Sequence, residues 1–382
     1  MPSDRSILVV GAGPAGAASA ALLAQAGFAV TLCEQKSFPR PKVCGEFVAP
    51  QSRPTLDRLG LLPAIDALSG PPITRMEAHP SSGQSLAARL PPDATGHFPH
   101  AIPRDLLDLA LLNAARAAGT IIRQPCHITS ITGNPSAGFT ATTPDGPLHA
   151  RAIILAHGLA QKGSLDPADP TPDPRKKYMC FKAHFSHCRL ADDTIAIGGA
   201  PGVYIGLVRS GAADSPALFS LAFVTRIDRS AGNPPDAQLA AILRQNAGFA
   251  RMLAPAARAT PWLASGPLDP GVRTIYRAGR FYVGNAAGEV HALVGEGITL
   301  ALRAAALLAD TLTHHGLEDP DAAGRAYAAA WRKEFAPRYR AANVFANIIM
   351  RPPLAAAAAH MLAAHPALLD YCIVRSGKWH AA

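Results

Sequence analysis

Charged side chains are scarce in this sequence. Asp, Glu, Lys and Arg together form 16% of the 382 residues, whereas hydrophobic residues form 49%. Disordered chains have the opposite balance, so we expect a packed core, and this length suits roughly two domains. So little charge is also compatible with a lipophilic cavity.

Runs of like charge are missing as well. Lys and Arg outnumber Asp and Glu by 36 to 27, which gives a formal charge of +9, but they are scattered along the chain. A nucleic-acid-binding tail would need a block of about five or six like charges, so no nucleic-acid partner is expected. Attraction to an anionic cofactor or to a membrane surface explains the excess equally well, and the composition indicates no oligomeric state.

Long apolar runs and closely spaced cysteines are absent too. Residues 7–10 are too few for a signal sequence or a membrane span, and the Ala- and Leu-rich stretch 354–369 is interrupted by His360, His365 and Pro366. We expect that stretch to be a packed or surface-lying helix, with peripheral membrane contact left open.

The six cysteines are spread along the chain, which favours reduced thiols and a cytoplasmic location.

The N-terminal segment has the pattern of a β-α-β unit. Residues 6–10 read as a buried parallel strand, residues 15–26 as a helix that Gly27 stops, and residues 28–34 as a second strand. The unit has the length of about 30 residues that is expected for such a motif.

A glycine pattern lies between that first strand and helix. Gly11, Gly13 and Gly16 have the G-x-G-x-x-G spacing, in which the first glycine permits a tight turn, the second lets the backbone approach a diphosphate and the third allows close packing. Glu34, at the end of the second strand, can accept hydrogen bonds from a ribose diol. The combination predicts dinucleotide binding, and the alternative is a tight turn without a ligand.

The remaining pattern predicts an α/β protein with a discontinuous dinucleotide domain. An amphipathic helix follows Pro103, and strand 148–156 returns to the parallel sheet. The Pro- and Asp-rich segment 164–177 reads as a linker. Beyond it we expect a mostly antiparallel sheet and one helix at 236–252, and then a strand, a loop and a long helix of the first domain. The antiparallel strands are predicted at 178–187, 194–198, 203–208 and 217–226.

Five segments carry a resemblance to a known family. They are GAGPAGAASAALLAQAG, FPRPKVCGEF (38–47), IPRDLLDLAL (102–111), KAHF (182–185) and VGNAAGEVHALVGEGITLAL (283–302). Together they resemble the geranylgeranyl-reductase-like branch of the p-hydroxybenzoate-hydroxylase-type flavoprotein monooxygenase superfamily. The resemblance implies a Rossmann-like FAD-binding domain, an inserted, mostly antiparallel β-sheet substrate domain and a C-terminal helical region. We assign residues 1–75, 100–163 and 270–315 to the FAD domain, 76–99 and 164–269 to the substrate domain, and 316–382 to the helical region.

The resemblance also implies the residues that bind FAD. Arg104 is expected to reach the FAD phosphates or ribityl chain, the alternative being an exposed arginine in the first turn of its helix. The family reads G-D-A-A-G where this chain has Asn285, whose amide can still donate and accept hydrogen bonds. The expected cofactor residues are Gly11, Gly13, Pro14, Ala15, Gly16, Glu34, Gln35, Arg40, Cys44, Gly45, Arg104, Gly284, Asn285, Ala286, Gly295, Gly297 and Ile298.

Three further residues are candidates for catalysis. Cys44 and Glu46 lie in the loop that, by resemblance, flanks the flavin ring, and Glu46 could act as an acid or a base if desolvation raises its pKa. Lys182, His184 and Ser186 would share one face of a strand, and His184 is either a substrate-facing base or a satisfied sheet histidine. We expect no metal, because a strand would point His187 away from Cys180 and His184.

The sequence is compatible with two reactions, hydroxylation and the reduction of a double bond. NADPH or NADH would bind transiently as the reductant, because no second nucleotide motif is present. Many hydroxylases of the superfamily carry an Asp-Gly pair where this chain reads Ala156-His157-Gly158, which moves the chain towards the reductase-like branch. Hydroxylation of a lipophilic aromatic or polyketide-type substrate, which needs a dry cavity, is favoured. Reduction of an isoprenoid or alkene double bond and a non-catalytic FAD-binding protein are the alternatives.

Overall fold

The fold is a computed structural model that describes residues 5–81, 84–158, 165, 178–230, 232–365, 367–369 and 371. Most of the predicted linker 164–177 and Cys372 lie outside the described residues. The strands, in chain order, are β1 Ser6–Val10, β2 Ala29–Cys33, β3 Phe47–Val48, β4 Arg75–His79, β5 Leu86–Arg89, β6 His100–Ala101, β7 Ile121–Arg123, β8 Ser130–Asn134, β9 Gly138–Thr143, β10 Gly146–Ala150, β11 Ala152–Leu155, β12 Tyr178–Ser186, β13 Thr194–Ala200, β14 Val203–Ser210, β15 Leu218–Arg226, β16 Ala257–Arg258, β17 Leu263–Leu268, β18 Gly271–Val272, β19 Tyr276–Arg277, β20 Arg280–Tyr282 and β21 Gly288–Glu289.

Helices surround these strands and form the C-terminal part of the described chain. They are α1 Pro14–Gln25, α2 Arg53–Arg58, α3 Leu62–Leu68, α4 Arg104–Ala117, α5 Ile227–Ser230, α6 Pro235–Gln245, α7 Ala247–Leu253, α8 Gly297–His315, α9 Pro320–Ile349 and α10 Pro352–Ala364. None of the described helices is long and apolar enough to cross a bilayer.

The first sheet has the strand order β19-β20-β11-β1-β2-β7 and is parallel except for its β19–β20 edge. Strands β1 and β11 are almost wholly apolar because helices cover both faces of a parallel sheet. Helix α1 packs between α4 and α8, and its inward face consists of small residues that allow close approach. Strands from both halves of the chain therefore share one sheet.

The second sheet has eight strands and is antiparallel apart from the β13–β4 pair. At its centre β13, β14 and β15 form a meander, and β12 pairs with β15. One face, which includes Phe181, Ala183 and Phe185, packs on α6 and α7, while the other face turns towards the first sheet. The predicted α/β class with a parallel FAD-type sheet, an antiparallel second sheet and C-terminal helices is confirmed, whereas the residue boundaries of the domains stay a prediction.

Two elements that were predicted as continuous are each divided in the structure. Segment 148–156 is two strands, because β10 pairs with β9 in a hairpin while β11 pairs with β1, so the chain changes partner at Arg151. The helix predicted at 236–252 is also divided, because the Asn246 side chain accepts a hydrogen bond from Phe249 N and caps a new helix. The same amide donates to the backbone of His79 and Gly199, which ties this helix break to the second sheet.

The five described cysteines form no disulfide with one another. Cys33, Cys126 and Cys180 are buried, and burial raises the pKa of the Cys180 thiol to about 12. Burial also raises the pKa of the Cys33 thiol, so the Cys33 and Cys180 thiols are protonated and unreactive at neutral pH. The predicted cytoplasmic location stays a prediction.

Candidate functional site

A cavity of about 1250 Å³ runs from the first sheet to the second sheet and the C-terminal helices. Pockets for single small ligands usually occupy roughly 300–1,000 Å³, so this space suits a dinucleotide together with a second molecule. All but three of the predicted site residues line it, the exceptions being Gly16, Ala286 and His184.

The three glycines of the turn occupy positions that suit the roles predicted for them. Gly11 has φ +100°, and a Cβ on it would lie 2.6 Å from the Ala156 carbonyl oxygen. A Cβ on Gly16 would lie 1.9 Å from the Gly11 carbonyl oxygen, so only glycine allows α1 to pack so closely. A Cβ on Gly13 would instead meet the cavity, with Lys42 Nζ at 3.8 Å as its nearest neighbour. The backbone at Gly13 and the N-terminus of α1 are therefore open to an anion.

Glu34, the predicted ribose ligand, lies beside the glycine turn. It is buried, and its Oε2 accepts a hydrogen bond from Ala12 N at 2.8 Å while its Oε1 accepts one from Lys36 N at 3.0 Å. The Arg40 guanidinium lies 3.6 Å from Oε1, and its buried Nε has no hydrogen-bond partner among the described residues. The Glu34 carboxylate is thus fixed at the cavity wall, and Arg40 keeps a free donor beside it.

A charged network not predicted from the sequence lies beside the glycine turn. The fully buried Asp108 accepts two hydrogen bonds from the Arg104 guanidinium, at 2.8 and 2.9 Å, and pairs with Lys42 Nζ at 2.8 Å. Burial favours the neutral carboxyl, but the two cations outweigh it and lower the pKa of Asp108. Two positive charges against one negative leave a net positive wall next to Gly13, which suits a diphosphate. Arg104 is not the exposed arginine of the alternative interpretation, since its side chain is 11% exposed.

The start of α8 forms the opposite wall. Gly295 has φ +62°, in the left-handed region, and a Cβ there would press on the Phe47 ring at 3.3 Å. Gly297 and Ile298 then begin α8, so its N-terminal amides lie at the cavity with Asn285 nearby on the wall. These amides and the helix dipole favour negative charge on a bound ring.

The Glu46 carboxylate is bonded at both oxygens, and its Oε1 also accepts a hydrogen bond from Arg104 N at 3.3 Å. It is 1% exposed and has φ +66°, and its Oε1 accepts from Lys182 Nζ at 2.5 Å while its Oε2 contacts His184 Nε2 at 2.9 Å. Burial raises its pKa, but the His184 hydrogen bond and the Lys182 charge outweigh burial and lower the pKa to about 2. The condition set for Glu46 as an acid or base, a net pKa raised by desolvation, is therefore not met, because Lys182 and His184 lie against the carboxylate and the sequence did not show this.

His184 shares its strand face with Lys182, as the alternation of β12 predicts. Tyr178 and Cys180 on the same face line the cavity, whereas Lys182 and His184 are held behind Glu46. His184 is therefore bonded to a buried carboxylate rather than presented to a substrate. Ser186, further along, donates to the Ala257 carbonyl oxygen.

Cys44 lies on the cavity wall just before this carboxylate. Its sulfur accepts a hydrogen bond from Glu46 N at 3.3 Å, and the Arg104 guanidinium contacts it from the other side. The thiol thus bridges the cationic wall and the Glu46 turn. Its assignment to catalysis stays a prediction.

The far end of the cavity is apolar. The second sheet contributes one face of β12 to β15, and helices α9 and α10 close over it. The lining side chains there include Ile195, Ile197, Val208, Val224, Ala342, Ile349, Ala359 and Leu362. Tyr204 lies flat along β14, so that a Cβ on Gly206 would be 2.8 Å from its hydroxyl. This apolar lining suits a lipophilic molecule.

Two further polar residues line the cavity in the segment between Asn285 and the start of α8. Glu289 and His291 both line the cavity and are 4% and 3% exposed. Burial raises the pKa of Glu289 to about 7 and lowers the pKa of His291 to about 4. Sequence reasoning missed both, although a charged residue and a histidine at alternate positions of an apolar segment are a readable signal. Among the described residues no group of three or more His, Cys, Asp or Glu is arranged to hold a metal ion.

The comparisons with known proteins agree with this geometry. The family described as FAD binding domain matches residues 4–157. Menaquinone reductase of Mycolicibacterium smegmatis is 30% identical over 165 residues, which is 41% of this chain and 38% of that protein. The chain therefore matches well under half of that relative's length.

Solved structures share the fold over most of the chain. The myxobacterial chondrochloren halogenase CndH, an FAD-dependent halogenase, has a TM-score of 0.76 at 20% identity and covers 88% of this chain and 81% of its own. PqsL of Pseudomonas aeruginosa, a probable FAD-dependent monooxygenase, has a TM-score of 0.75 at 16% identity and covers 93% of this chain and 99% of its own. The residues along the cavity fit FAD, residues 4–157 match the FAD binding domain, and the chain shares its fold with these solved structures.

Proposed function

We propose that this protein is an FAD-dependent oxidoreductase that hydroxylates a lipophilic aromatic or polyketide-type molecule with NADPH or NADH and dioxygen. One observation carries the proposal: a single cavity joins the glycine turn at Gly13 to an apolar chamber under α9 and α10. A dinucleotide held at Gly13 would extend its ring into the part of the cavity that meets this chamber.

Different residues along the cavity have different roles in this proposal. Bound FAD would supply electron transfer and the activation of dioxygen. The amides of α1 and the Lys42–Arg104 wall bind the diphosphate, and Glu34 orients the ribose. The apolar side chains of the second sheet exclude water from the reacting ring, which hydroxylation requires.

The cofactor site is tested by Gly13→Val. The valine side chain would fill the space into which the diphosphate must fit, so FAD retention should be lost. Gly271→Val is the matched control, because a Cβ there also meets open space but Gly271 lies outside the cavity lining. The measurement is flavin absorbance of the purified proteins. A yellow Gly13→Val protein, or a colourless parent that takes up no added FAD, would overturn the site.

The reaction is tested by turnover on a panel of lipophilic substrates, with and without oxygen. A product heavier by one oxygen atom supports hydroxylation. A product heavier by two hydrogens under anaerobic conditions supports reduction, and a hydrogen replaced by chlorine or bromine supports halogenation. A bound flavin that NADPH and NADH never reduce would favour a non-catalytic FAD-binding protein.

The second candidate is reduction of a double bond, as in the geranylgeranyl-reductase-like branch. The similarity to the relative named menaquinone reductase supports it. The polar residues Glu289 and His291 of the cavity lining also support it, because such a reduction needs a proton as well as a hydride. The anaerobic arm of the turnover experiment separates this candidate from hydroxylation.

A membrane surface is the source that we propose for the lipophilic molecule. Phe345, Met361 and Tyr371 line the cavity and are nevertheless 45%, 49% and 57% exposed, so they form its rim. An apolar rim on a positively charged protein suits an anionic lipid surface. Co-sedimentation with phosphatidylglycerol vesicles tests this, and Phe345→Ser with Met361→Ser should weaken binding without loss of FAD. Equal sedimentation of the parent and the double variant would contradict the proposal that this rim contacts a membrane.

A further inference from the structure

The carboxyl group of Glu289 is only half engaged by the protein. Its Oε2 accepts hydrogen bonds from Asp269 N at 3.0 Å and from Arg273 Nη2 at 3.1 Å. Its Oε1 accepts none from the part of the chain that the structure describes. Glu289 is 4% exposed and lines the cavity, so a molecule bound in the cavity can reach Oε1.

His291, two residues later, is half engaged in the same way. Its Nδ1 accepts a hydrogen bond from Leu293 N at 3.2 Å, so the proton of the neutral ring is on Nε2. That buried Nε2 has no partner among the described residues. A buried donor without a partner is costly, and a ligand oxygen would remove the cost.

The groups that face Glu289 come from several elements. Arg273 favours its charged form, whereas the Asp269 carboxylate disfavours it. The neutral Cys180 thiol approaches from β12, and Tyr339 approaches from α9, where its hydroxyl donates to the Gly288 carbonyl oxygen at 3.0 Å. One cation, one competing anion and burial leave Glu289 able to gain or lose a proton near neutral pH.

We propose that Glu289 and His291 together bind a hydroxyl or carbonyl group of the substrate, with Glu289 exchanging a proton with that group and His291 donating a hydrogen bond to it. The inference rests on the proposed function, because it concerns the substrate of the same cavity. It adds a polar contact to a cavity whose lining is largely apolar, and it predicts that the oxygen-bearing end of a lipophilic molecule binds beside Glu289 and His291.

The proton follows the chemistry of the group that is bound. A substrate hydroxyl donates to the Glu289 carboxylate, and when its proton transfers completely the resulting oxyanion accepts from His291 Nε2. A substrate carbonyl accepts from the protonated Glu289 and from His291. A carbonyl therefore requires the protonated carboxyl group, whereas a hydroxyl binds more strongly to the carboxylate, because a charge-assisted hydrogen bond is the stronger one.

Calorimetric binding to the FAD-loaded protein tests this with three probes of similar size. The probes are hexylphenol, which donates, hexanophenone, which only accepts, and hexylbenzene, which has no oxygen. From about pH 5.5 to pH 8.5 the phenol stays neutral, because its own pKa is about 10. Hexylphenol should bind about tenfold more tightly at the upper pH and hexanophenone several-fold more weakly, whereas hexylbenzene should change by less than about twofold.

Two variants assign these slopes to the two residues. Glu289→Gln should remove the pH dependence for both oxygen-bearing probes. His291→Phe should weaken both about fivefold at every pH and leave the slopes in place. Glu334→Gln is the matched control, because it removes the ion pair with Arg303 outside the cavity lining and should keep all slopes. FAD content and the melting temperature verify that each variant is folded.

Two results would overturn the inference: equal affinity of hexylbenzene and the oxygen-bearing probes at every pH, or pH slopes that survive in Glu289→Gln. The assay involves no turnover, so its outcome is separate from that of the proposed function. A protein that shows both slopes but never reduces its flavin would keep the polar site and lose the oxidoreductase assignment.

Discussion

Glu46 and Glu289 are buried to nearly the same degree, 1% and 4% exposed, and yet their pKa values move in opposite directions. The pKa of Glu46 is lowered to about 2, whereas that of Glu289 is raised to about 7. Burial acts against the charge in both. The difference lies in their partners, because both Glu46 oxygens contact cationic or ionisable donors while only one Glu289 oxygen is engaged, and Asp269 opposes its charge.

The comparison separates a structural carboxylate from one that is available for chemistry. Glu46 connects the loop after β2 to β12 of the second sheet, so it fixes two walls of the cavity relative to each other. Glu289 stands on a short strand with a free oxygen at the cavity. A carboxylate with saturated partners holds a structure, and one with an unfilled position can exchange a proton.

The largest effect is expected from Lys182→Met. This change leaves the buried Glu46 carboxylate with His184 and the Arg104 backbone amide but without its lysine partner, which should lower the free energy of unfolding by about 3–5 kcal/mol. Urea denaturation of the FAD-loaded protein measures it. Arg58→Met is the control, because it removes an exposed pair with Asp310 that is worth no more than about 1 kcal/mol. An equal decrease in the free energy of unfolding in both variants would contradict the structural role of Glu46.

The next effect is a pH dependence of stability at Glu289. Its pKa rises from 4.5 in the unfolded chain to about 7, so the folded state favours the protonated form, and stability falls as the pH increases through this range. Glutamine has no proton to lose. The stability of Glu289→Gln relative to the parent should therefore increase by about 2 kcal/mol between about pH 5 and pH 8.

Glu46→Gln provides the contrast for that measurement. Glu46 contributes stability above its unfolded pKa of 4.5, and this contribution is lost as the pH falls towards 2. Titration of the Glu46 carboxyl itself should therefore add no slope to the stability difference between Glu46→Gln and the parent between about pH 5 and pH 8. Urea denaturation across this range measures both variants, and parallel curves for the two would show that their pKa values do not differ as described.

The smallest effect on stability is expected from Cys44→Ser. A hydroxyl can still accept the hydrogen bond from Glu46 N, so the Glu46 turn and FAD binding should be kept, with a stability change within about 0.5 kcal/mol. Turnover should nevertheless fall by about tenfold or more if the thiol takes part in proton transfer. Steady-state rates measure it, and an unchanged rate would make Cys44 part of the Glu46 structure only.

The sequence predicted the local parts of the site well. Strand β1, the glycine turn and α1 are encoded within neighbouring residues, and α4 began at Arg104 as the Pro103 signal indicated. The predictions were less accurate where the chain changes partner. The division at Arg151 depends on which strand β10 and β11 each meet, and the break at Asn246 depends on contacts with the second sheet.

The sequence by itself determined that a dinucleotide cradle exists, because the glycine spacing, the strand, the helix and Glu34 all act over a short stretch of chain. The tertiary structure alone decided the electrostatics of the cavity. Lys182 meets Glu46 across 136 residues, and the Asp108 pair with Lys42 joins α4 to a distant loop. The pKa of a buried carboxyl group depends on such long-range neighbours, so the roles of Glu46 and Glu289 follow from packing and not from local pattern.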